Sequence, residues 1–190
     1  TEERVAVIEL RGDDGEALEE VTIKQEAAEK TPSTEVSDKE IWYTSTDGKV
    51  VTPNNNKAFD ADIVSNTYVD GKGIITFDGD VTSIGYMAFY QCATLKTVTI
   101  PDSVTAFGEE AFSECTSLEI IYCMPTTPPT LDDGVFYLLP EECVIYVPAE
   151  AVEAYKSAEG WDDYARSIVG YDFEKGEVVK PSPTPGDIDW

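Results

Sequence analysis

The side chains of this sequence that could do chemistry are carboxylates, lysines, tyrosines and four cysteines. The chain of 190 residues contains no histidine. Histidine activates Ser and Cys nucleophiles and is the commonest metal ligand, so its absence excludes imidazole acid–base catalysis and His-based metal centres. No phosphate-binding loop, dinucleotide fingerprint or nucleophile elbow occurs, and we predict no cofactor. Paired carboxylates are the remaining candidates for catalysis.

Five pairs of aspartates are close enough in sequence to suggest a carboxylate site: Asp60/Asp62, Asp78/Asp80, Asp132/Asp133, Asp162/Asp163 and Asp187/Asp189. A glycosidase needs two carboxylates about 5 to 9.5 Å apart across a cleft, and calcium needs at least about six oxygen ligands, usually from a loop of fixed pattern. None of the pairs shows such a pattern, and aspartate is common in turns. We interpret them as solvated turn residues and predict no catalytic or metal site, with calcium binding and glycan hydrolysis as alternatives.

The cysteines are Cys92, Cys115, Cys123 and Cys143, and no two of them form a CxxC pair, which argues against a structural zinc site. Cys92 and Cys115 occupy equivalent repeat positions, so their Cα atoms should lie about 5 Å apart, within disulfide reach. The alternative, which we favour, is that each is a small buried side chain. Cys143 is predicted to be exposed or at an edge.

The charge balance restricts the possible partners. The formal net charge is −25, from 38 acidic and 13 basic residues. Such a surface repels nucleic acid and anionic lipid, so an electrostatic partner must be basic or a cation. No apolar run approaches the roughly 18 residues of a membrane span. No signal peptide is visible, which fits a processed chain and says little about location.

Two stretches of the sequence are nearly identical: IGYMAFYQCATLKTVTI from Ile84 to Ile100 and FGEEAFSECTSLEIIYC from Phe107 to Cys123. Equivalent positions are 23 residues apart, as in Val81/Val104, Ile84/Phe107, Gly85/Gly108, Ala88/Ala111, Phe89/Phe112, Cys92/Cys115, Leu95/Leu118, Val98/Ile121 and Ile100/Cys123. One period backwards reaches Ile75 and Phe77, and one period forwards reaches Val144 and Tyr146. The period predicts four strand-like segments with these residues facing inward.

A period of this length is typical of leucine-rich repeats, in which each unit supplies one short parallel strand and a return turn. One unit cannot bury its apolar face, but stacked units share a continuous core. We therefore predict an α/β fold, a short right-handed leucine-rich-repeat solenoid with N-terminal β hairpins and a C-terminal helical cap. Gly85 and Gly108 are predicted to allow a tight entry into each turn.

The segments around the repeats predict the caps and the domain limits. IWYTSTDGKVV indicates a hairpin around Asp47-Gly48, and TYVDGKGIITF a second one that leads into the first strand of the repeat sheet. In the insertion at 124–142, Val135 and Phe136 are expected to replace the repeat's Ala-Phe pair, and the segment from Ala149 is read as one or two helices. We predict a β hairpin and linker at 1–37, the repeat domain at 38–172 and a Pro-rich tail at 173–190.

The repeat IGxxAFxxCxxLxxVxIP, at 84–101 and again with drift at 107–125, resembles the BspA-like leucine-rich-repeat family, over about residues 40–172. The resemblance implies bacterial cell-surface or secreted proteins, often lipoproteins, that bind other proteins, in some relatives as adhesins for host extracellular-matrix proteins. It brings no catalytic residues. Residues 1–28 also resemble, weakly, the last two strands of a BACON-type Ig-like domain.

The outward face of the repeat sheet is the candidate binding surface. If the strands stay in phase, the face presents the candidate ligand-binding residues Thr97, Thr99, Ile120, Tyr122 and Ile145. We predict a non-catalytic protein-interaction or adhesion module, extracellular or on the cell surface, that binds a protein partner through this face. The alternatives are a structural spacer that displays neighbouring domains and a glycan-binding module. An insertion or cap folded over the face would favour the spacer.

Overall fold

The computed structural model describes residues 5–11, 17–24 and 36–179. The chain divides into two compact units, Thr1–Glu35 and Val36–Trp190. In the first unit, β1 (Val5–Arg11) and β2 (Ala17–Lys24) form an antiparallel pair. Most of the predicted linker and the end of the predicted tail, with the pair Asp187/Asp189, lie outside the described residues.

The described part of the second unit, residues 36–179, contains eleven strands and three short helical segments. The strands are β3 (Glu40–Ser45), β4 (Ile63–Val69), β5 (Lys72–Phe77), β6 (Ser83–Ile84), β7 (Leu95–Ile100), β8 (Ala106–Phe107), β9 (Ile120–Cys123), β10 (Thr130–Leu131), β11 (Val144–Pro148), β12 (Ile168–Asp172) and β13 (Glu177–Val178). The helical segments are α1 (Val152–Ser157) and two 3₁₀ turns, Ala149–Ala151 and Asp162–Tyr164. No helix in the described ranges is both long and apolar enough to cross a membrane.

Eight of these strands form one mixed sheet in the order β13-β12-β11-β9-β7-β3-β5-β4. Its centre is parallel: β7, β9, β11 and β12 run the same way. The short strands β6, β8 and β10 form a second parallel sheet. One repeat therefore contributes a long strand to the first sheet and a short strand to the second. We call each such unit a coil.

The turns between the two sheets are also hydrogen-bonded from coil to coil. Backbone N–H groups at alternate residues donate to carbonyls of the next coil over 2.7–3.0 Å, at Met87→Glu109, Phe89→Ala111, Gln91→Ser113, Glu110→Asp133, Phe112→Val135 and Glu114→Tyr137. Equivalent residues share unusual backbone angles, since Met87 and Glu110 both have positive φ, as do Gln91 and Glu114. The repeat thus fixes backbone conformation as well as side-chain burial.

A stack of phenylalanines runs through the core between the sheets. Phe89 and Phe112 stack with ring centroids 5.1 Å apart, and Phe112 stacks on Phe136 at 5.9 Å. Phe136 in turn contacts Trp161, with centroids 5.7 Å apart. Val135 and Phe136 are buried, as predicted for residues that replace the Ala-Phe pair. The insertion therefore packs on the turn side of the molecule and continues the core.

The prediction of a hairpin around Asp47-Gly48 is wrong. β3 is followed by a turn, but its strand partners are β5 and β7, both antiparallel to it. β3 thus lies between β5 and the first parallel strand, β7. The 23-residue period instead predicts that β5 and β7 are direct neighbours. The second predicted hairpin is present as the antiparallel pair β4–β5. Ile75 and Phe77 are buried as expected, because β3 preserves the alternation of the sheet.

The predicted orientation of the fourth strand is also wrong. Ile145 and Cys143 are buried, whereas Val144 and Tyr146 are partly exposed on the outward face. Ile121 pairs with Ile145, a step of 24 residues where the earlier step, from Val98 to Ile121, is 23. The insertion adds one residue to the period, and a shift of one residue moves every side chain of a strand to the other face.

The predicted helical cap is minimal. α1 has six residues, and beyond it the chain makes a 3₁₀ turn and returns to the sheet as β12. A helix this short is not stable by itself, so the closing segment depends on its buried side chains. Trp161 is buried and donates from Nε1 to the Pro129 carbonyl at 2.7 Å, and Tyr155 donates to the Pro125 carbonyl at 2.8 Å.

Candidate interaction surface

The outward face of the eight-stranded sheet carries most of the predicted site residues. Thr97, Thr99, Ile120 and Tyr122 are all half-buried on it, whereas Ile145 is in the core. Paired residues form two rows that run across the strands on this face. The first row consists of Val169, Tyr146, Tyr122, Thr99, Trp42, Ile74 and Thr67. The second row consists of Val144, Ile120, Thr97 and Thr44. The face is therefore continuous across seven strands.

One half of this face is a group of packed aromatic rings, which we call the aromatic cluster: Tyr122, Tyr146, Tyr171 and Phe173. Tyr146 lies 4.9 Å from Tyr171 and 5.4 Å from Tyr122 between ring centroids. Phe173 contacts Tyr171 at 5.1 Å. Each ring is half-buried, and burial, followed by the neighbouring Tyr171 and Tyr146, raises the pKa of Tyr122. The cluster is thus a platform of aromatic rings on the sheet face.

The other half of the face is polar. Thr44 and Thr97 on neighbouring strands share a hydrogen bond of 2.8 Å between their hydroxyl groups. The Lys72 ammonium lies 2.8 Å from the ring centroid of Trp42, and Trp42 donates from Nε1 to Glu40. Partial burial lowers the pKa of Lys72. Because one side of the Trp42 ring carries this cation, the indole is less available to a ligand than the rings of the aromatic cluster.

Three residues of the aromatic cluster, Tyr146, Tyr171 and Phe173, are not among the site residues predicted from the sequence. Tyr146 was assigned to the core because the added residue in the insertion was missed. Tyr171 lies in β12, at the end of the segment predicted to be helical, and Phe173 lies just beyond β12, at the start of the predicted Pro-rich tail. The alternation in SIVGYDF, followed by the Lys175-Gly176 turn, was the available strand signal.

Two aspartates of the predicted pairs, Asp60 and Asp78, accept hydrogen bonds from backbone N–H groups. Asp60 accepts hydrogen bonds from the Thr82 N–H, the Ser83 N–H and the Thr82 hydroxyl. Although partial burial acts in the opposite direction, these bonds lower the pKa of Asp60. Asp132, Asp133 and Asp163 border a cavity of about 450 Å³. Within residues 5–11, 17–24 and 36–179, no three acidic, cysteine or histidine side chains are grouped so as to hold a metal ion.

The four cysteines are free and buried. The Cys115 thiol donates to the Phe89 carbonyl at 3.1 Å, and Cys123 lies 3.4 Å from the Tyr155 hydroxyl. Burial raises the pKa of Cys92 to about 11 and those of Cys115, Cys123 and Cys143 to about 12. Cys92 and Cys115 are not joined, so the core-filling alternative describes them. The prediction of an exposed Cys143 is wrong, as it is for Ile145, because the residue added in the insertion moves both side chains to the buried face.

The comparisons with known proteins agree with this architecture. The family model of the BspA-type leucine-rich-repeat region matches residues 49–152 with six copies. No curated protein matches the chain. The repeat family is not enzymatic, and its repeats are associated with protein interaction. The matched range covers more than half of the sequence and includes β4 to β11. The chain therefore belongs to the BspA-type leucine-rich-repeat family.

Proposed function

We propose that the protein is a non-catalytic adhesion module of the bacterial cell surface or of a secreted protein, and that it binds a partner protein through the outward face of its sheet. The observation that carries the proposal is the aromatic cluster. Four half-buried rings lie together on one face of the sheet, and grouped aromatic side chains are typical of binding surfaces. A short right-handed solenoid presents this face.

The direct test is a double substitution, Tyr122→Ser with Tyr146→Ser. Binding of the purified protein to immobilised fibronectin and type I collagen is measured by surface plasmon resonance. Loss of two central aromatic contacts should weaken binding at least about tenfold, since such residues each contribute about 1–2 kcal/mol or more. Tyr137→Ser is the matched control, because Tyr137 is 58% exposed and lies on the turn side. Equal binding by the two variants would contradict the proposal.

The second candidate function is a spacer that displays a neighbouring domain. The division of the chain into two compact units favours it, as does the Pro-rich sequence after Lys180. We keep the predicted division into 1–37, 38–172 and 173–190 as part of this proposal, although β13 pairs with β12 and so extends the sheet beyond residue 172. A spacer would show no binding to either matrix protein, and the double substitution would change nothing.

A further inference from the structure

A groove lies beside the aromatic cluster, where the parallel strands β7, β9, β11 and β12 end. Its volume is about 430 Å³. Its apolar and aromatic lining consists of Met124, Pro148, Ala149, Tyr171, Phe173 and Val179. Tyr171 and Phe173 belong both to this lining and to the aromatic cluster, so the groove and the sheet face form one surface. A chain that crossed the cluster would reach the groove without leaving the apolar surface.

The charged residues of the groove are all acidic: Asp102, Glu150, Asp172 and Glu174. Lys175 pairs with Asp172, with 2.7 Å between Nζ and Oδ2. The other three carboxylates make no salt bridge within the described residues. An apolar floor with unbalanced negative charge at its rim is complementary to a segment that carries both a cation and an apolar side chain.

The charge also discriminates between possible occupants. A second copy of this chain would bring a net charge of −25 to an acidic groove. Residues 180–190 contain Asp187 and Asp189 against the single base Lys180, so this segment is a poor electrostatic match as well. A bare cation would leave the apolar floor uncovered. A basic segment of another protein satisfies both features of the groove.

We propose that this groove binds a short basic segment of a partner protein, in which a lysine or arginine contacts Asp102 and Glu150 while a neighbouring apolar side chain packs on Phe173. The inference rests on the proposed function and names the chemistry of its partner. The partner's apolar residues would continue over the aromatic cluster, so the rings supply contact area and the carboxylates select for basic sequence.

The test uses a fluorescein-labelled peptide that alternates arginine with leucine, with fluorescence anisotropy as the readout. Two control peptides replace each arginine by glutamine or each leucine by serine. We expect the first peptide to bind at about 0.15 M NaCl, where charges more than about 8 Å apart are screened, and both control peptides to bind at least about fivefold more weakly. A peptide that does not bind, or glutamine and serine peptides that bind equally well, would overturn the inference.

The variant Asp102→Asn with Glu150→Gln should bind the arginine–leucine peptide at least about fivefold more weakly than the unchanged protein, because two charge-assisted contacts are lost. Glu141→Gln with Glu142→Gln is the control: it changes the net charge equally, at exposed residues just before the start of β11. The control should bind within about twofold of the unchanged protein. Equal weakening by both variants would assign the binding to general charge attraction and overturn the inference. Circular dichroism checks that each variant is folded.

The same variants separate this inference from the proposed function. If the peptide does not bind but Tyr122→Ser with Tyr146→Ser abolishes fibronectin or collagen binding, the groove inference fails and the proposed function stands. If Asp102→Asn with Glu150→Gln weakens binding of the peptide but neither matrix protein binds the unchanged protein, the adhesion proposal fails and the groove inference stands.

Discussion

Cys92, Cys115, Cys123 and Cys143 are buried thiols rather than reactive ones, and their surroundings explain why. The thiolate is the nucleophile and the metal ligand, and it forms readily only where positive charge or solvent stabilises it. Around these cysteines burial dominates and raises each pKa to about 11 or 12. The four thiols therefore stabilise the fold as small apolar groups, and they do so only while they are protonated.

This protonation requirement predicts a loss of stability at alkaline pH. An unfolded thiol has a pKa of about 8.5, so below that value both states are protonated and the contribution is complete. As the pH rises toward the folded values of about 11 and 12, the unfolded state loses its protons first. The free energy of unfolding should therefore begin to fall at about pH 8.5 and continue to fall until the folded thiols ionise at about pH 11 to about pH 12. The decline should be up to about 1.4 kcal/mol per pH unit for each thiol.

Urea unfolding under reducing conditions at several pH values measures this loss. The variant Cys143→Ala removes one titrating thiol and should show a shallower decline over the same range. A urea midpoint that stayed constant from neutral pH to about pH 10 would contradict the burial of the thiols.

At the scale of the elements, neighbouring coils are held close together by two glycines. A Cβ built on Gly85 would lie 2.8 Å from the Ala58 carbonyl oxygen, and one on Gly108 would lie 2.8 Å from the backbone of Gly85. Neither glycine has a positive φ. The sequence suggested that these glycines permit a tight turn, but the structure gives a different reason. The backbones of successive coils touch at this point, and a side chain would separate them.

The substitution Gly108→Ala should therefore destabilise the protein by about 1–3 kcal/mol, as overpacking in a rigid core does. Gly79→Ala is the control, because a Cβ there would meet the Ala61 side chain at an ordinary 3.8 Å. Its effect should stay within about 1 kcal/mol, with a small gain possible from reduced freedom of the unfolded chain. Equal urea midpoints for the two variants would show that the coils can separate without cost.

The 23-residue period predicted burial correctly as long as the spacing between strands stayed constant. Leu95, Val98, Ile100 and Ile121 are buried where the period placed them. The prediction failed at Ile145 because the extra residue in the insertion leaves no local trace, and only the pairing of β11 with β9 reveals it. It also failed to place β3 beside β7, since this pairing joins residues fifty or more positions apart. Local patterns carry little information about such contacts.

The residues of the candidate site also divide into those that a local pattern predicts and those that depend on long-range strand pairing. Thr97, Thr99, Ile120 and Tyr122 could be predicted because alternation within a strand fixes the face of each side chain. The aromatic cluster could not, because it joins β9, β11, β12 and the turn after β12, and its rings meet only once that last strand is added to the sheet. The half of the site that depends on one repeat was visible in the sequence, and the half that depends on sheet order was not.

At the scale of the whole molecule, the dominant feature is negative charge that the fold leaves largely unpaired. The sequence has 38 acidic residues against 13 basic ones. In the described part of the chain, four salt bridges join a lysine to a carboxylate, with 2.7–4.0 Å between the lysine Nζ and the carboxylate oxygen. Most carboxylates therefore repel one another across the surface, and this repulsion opposes the compact state.

Added salt should consequently raise the melting temperature at neutral pH. Raising NaCl from about 0.01 M to about 0.1 M shortens the Debye length from about 30 Å to about 10 Å, which screens most of the surface repulsion. Each kcal/mol gained should increase the melting temperature by about 2–4 °C for a chain of this size. Differential scanning calorimetry at a series of salt concentrations measures the shift.

Two further salts distinguish screening from specific binding of a cation. Choline chloride should give the same increase as NaCl, because screening depends on ionic strength and not on the identity of the cation. Calcium chloride at matched ionic strength should add no further increase, since no three carboxylates among the described residues are grouped so as to hold a metal ion. A separate, saturable increase with calcium would instead indicate a bound ion. It would also revive calcium binding as the explanation of the aspartate pairs.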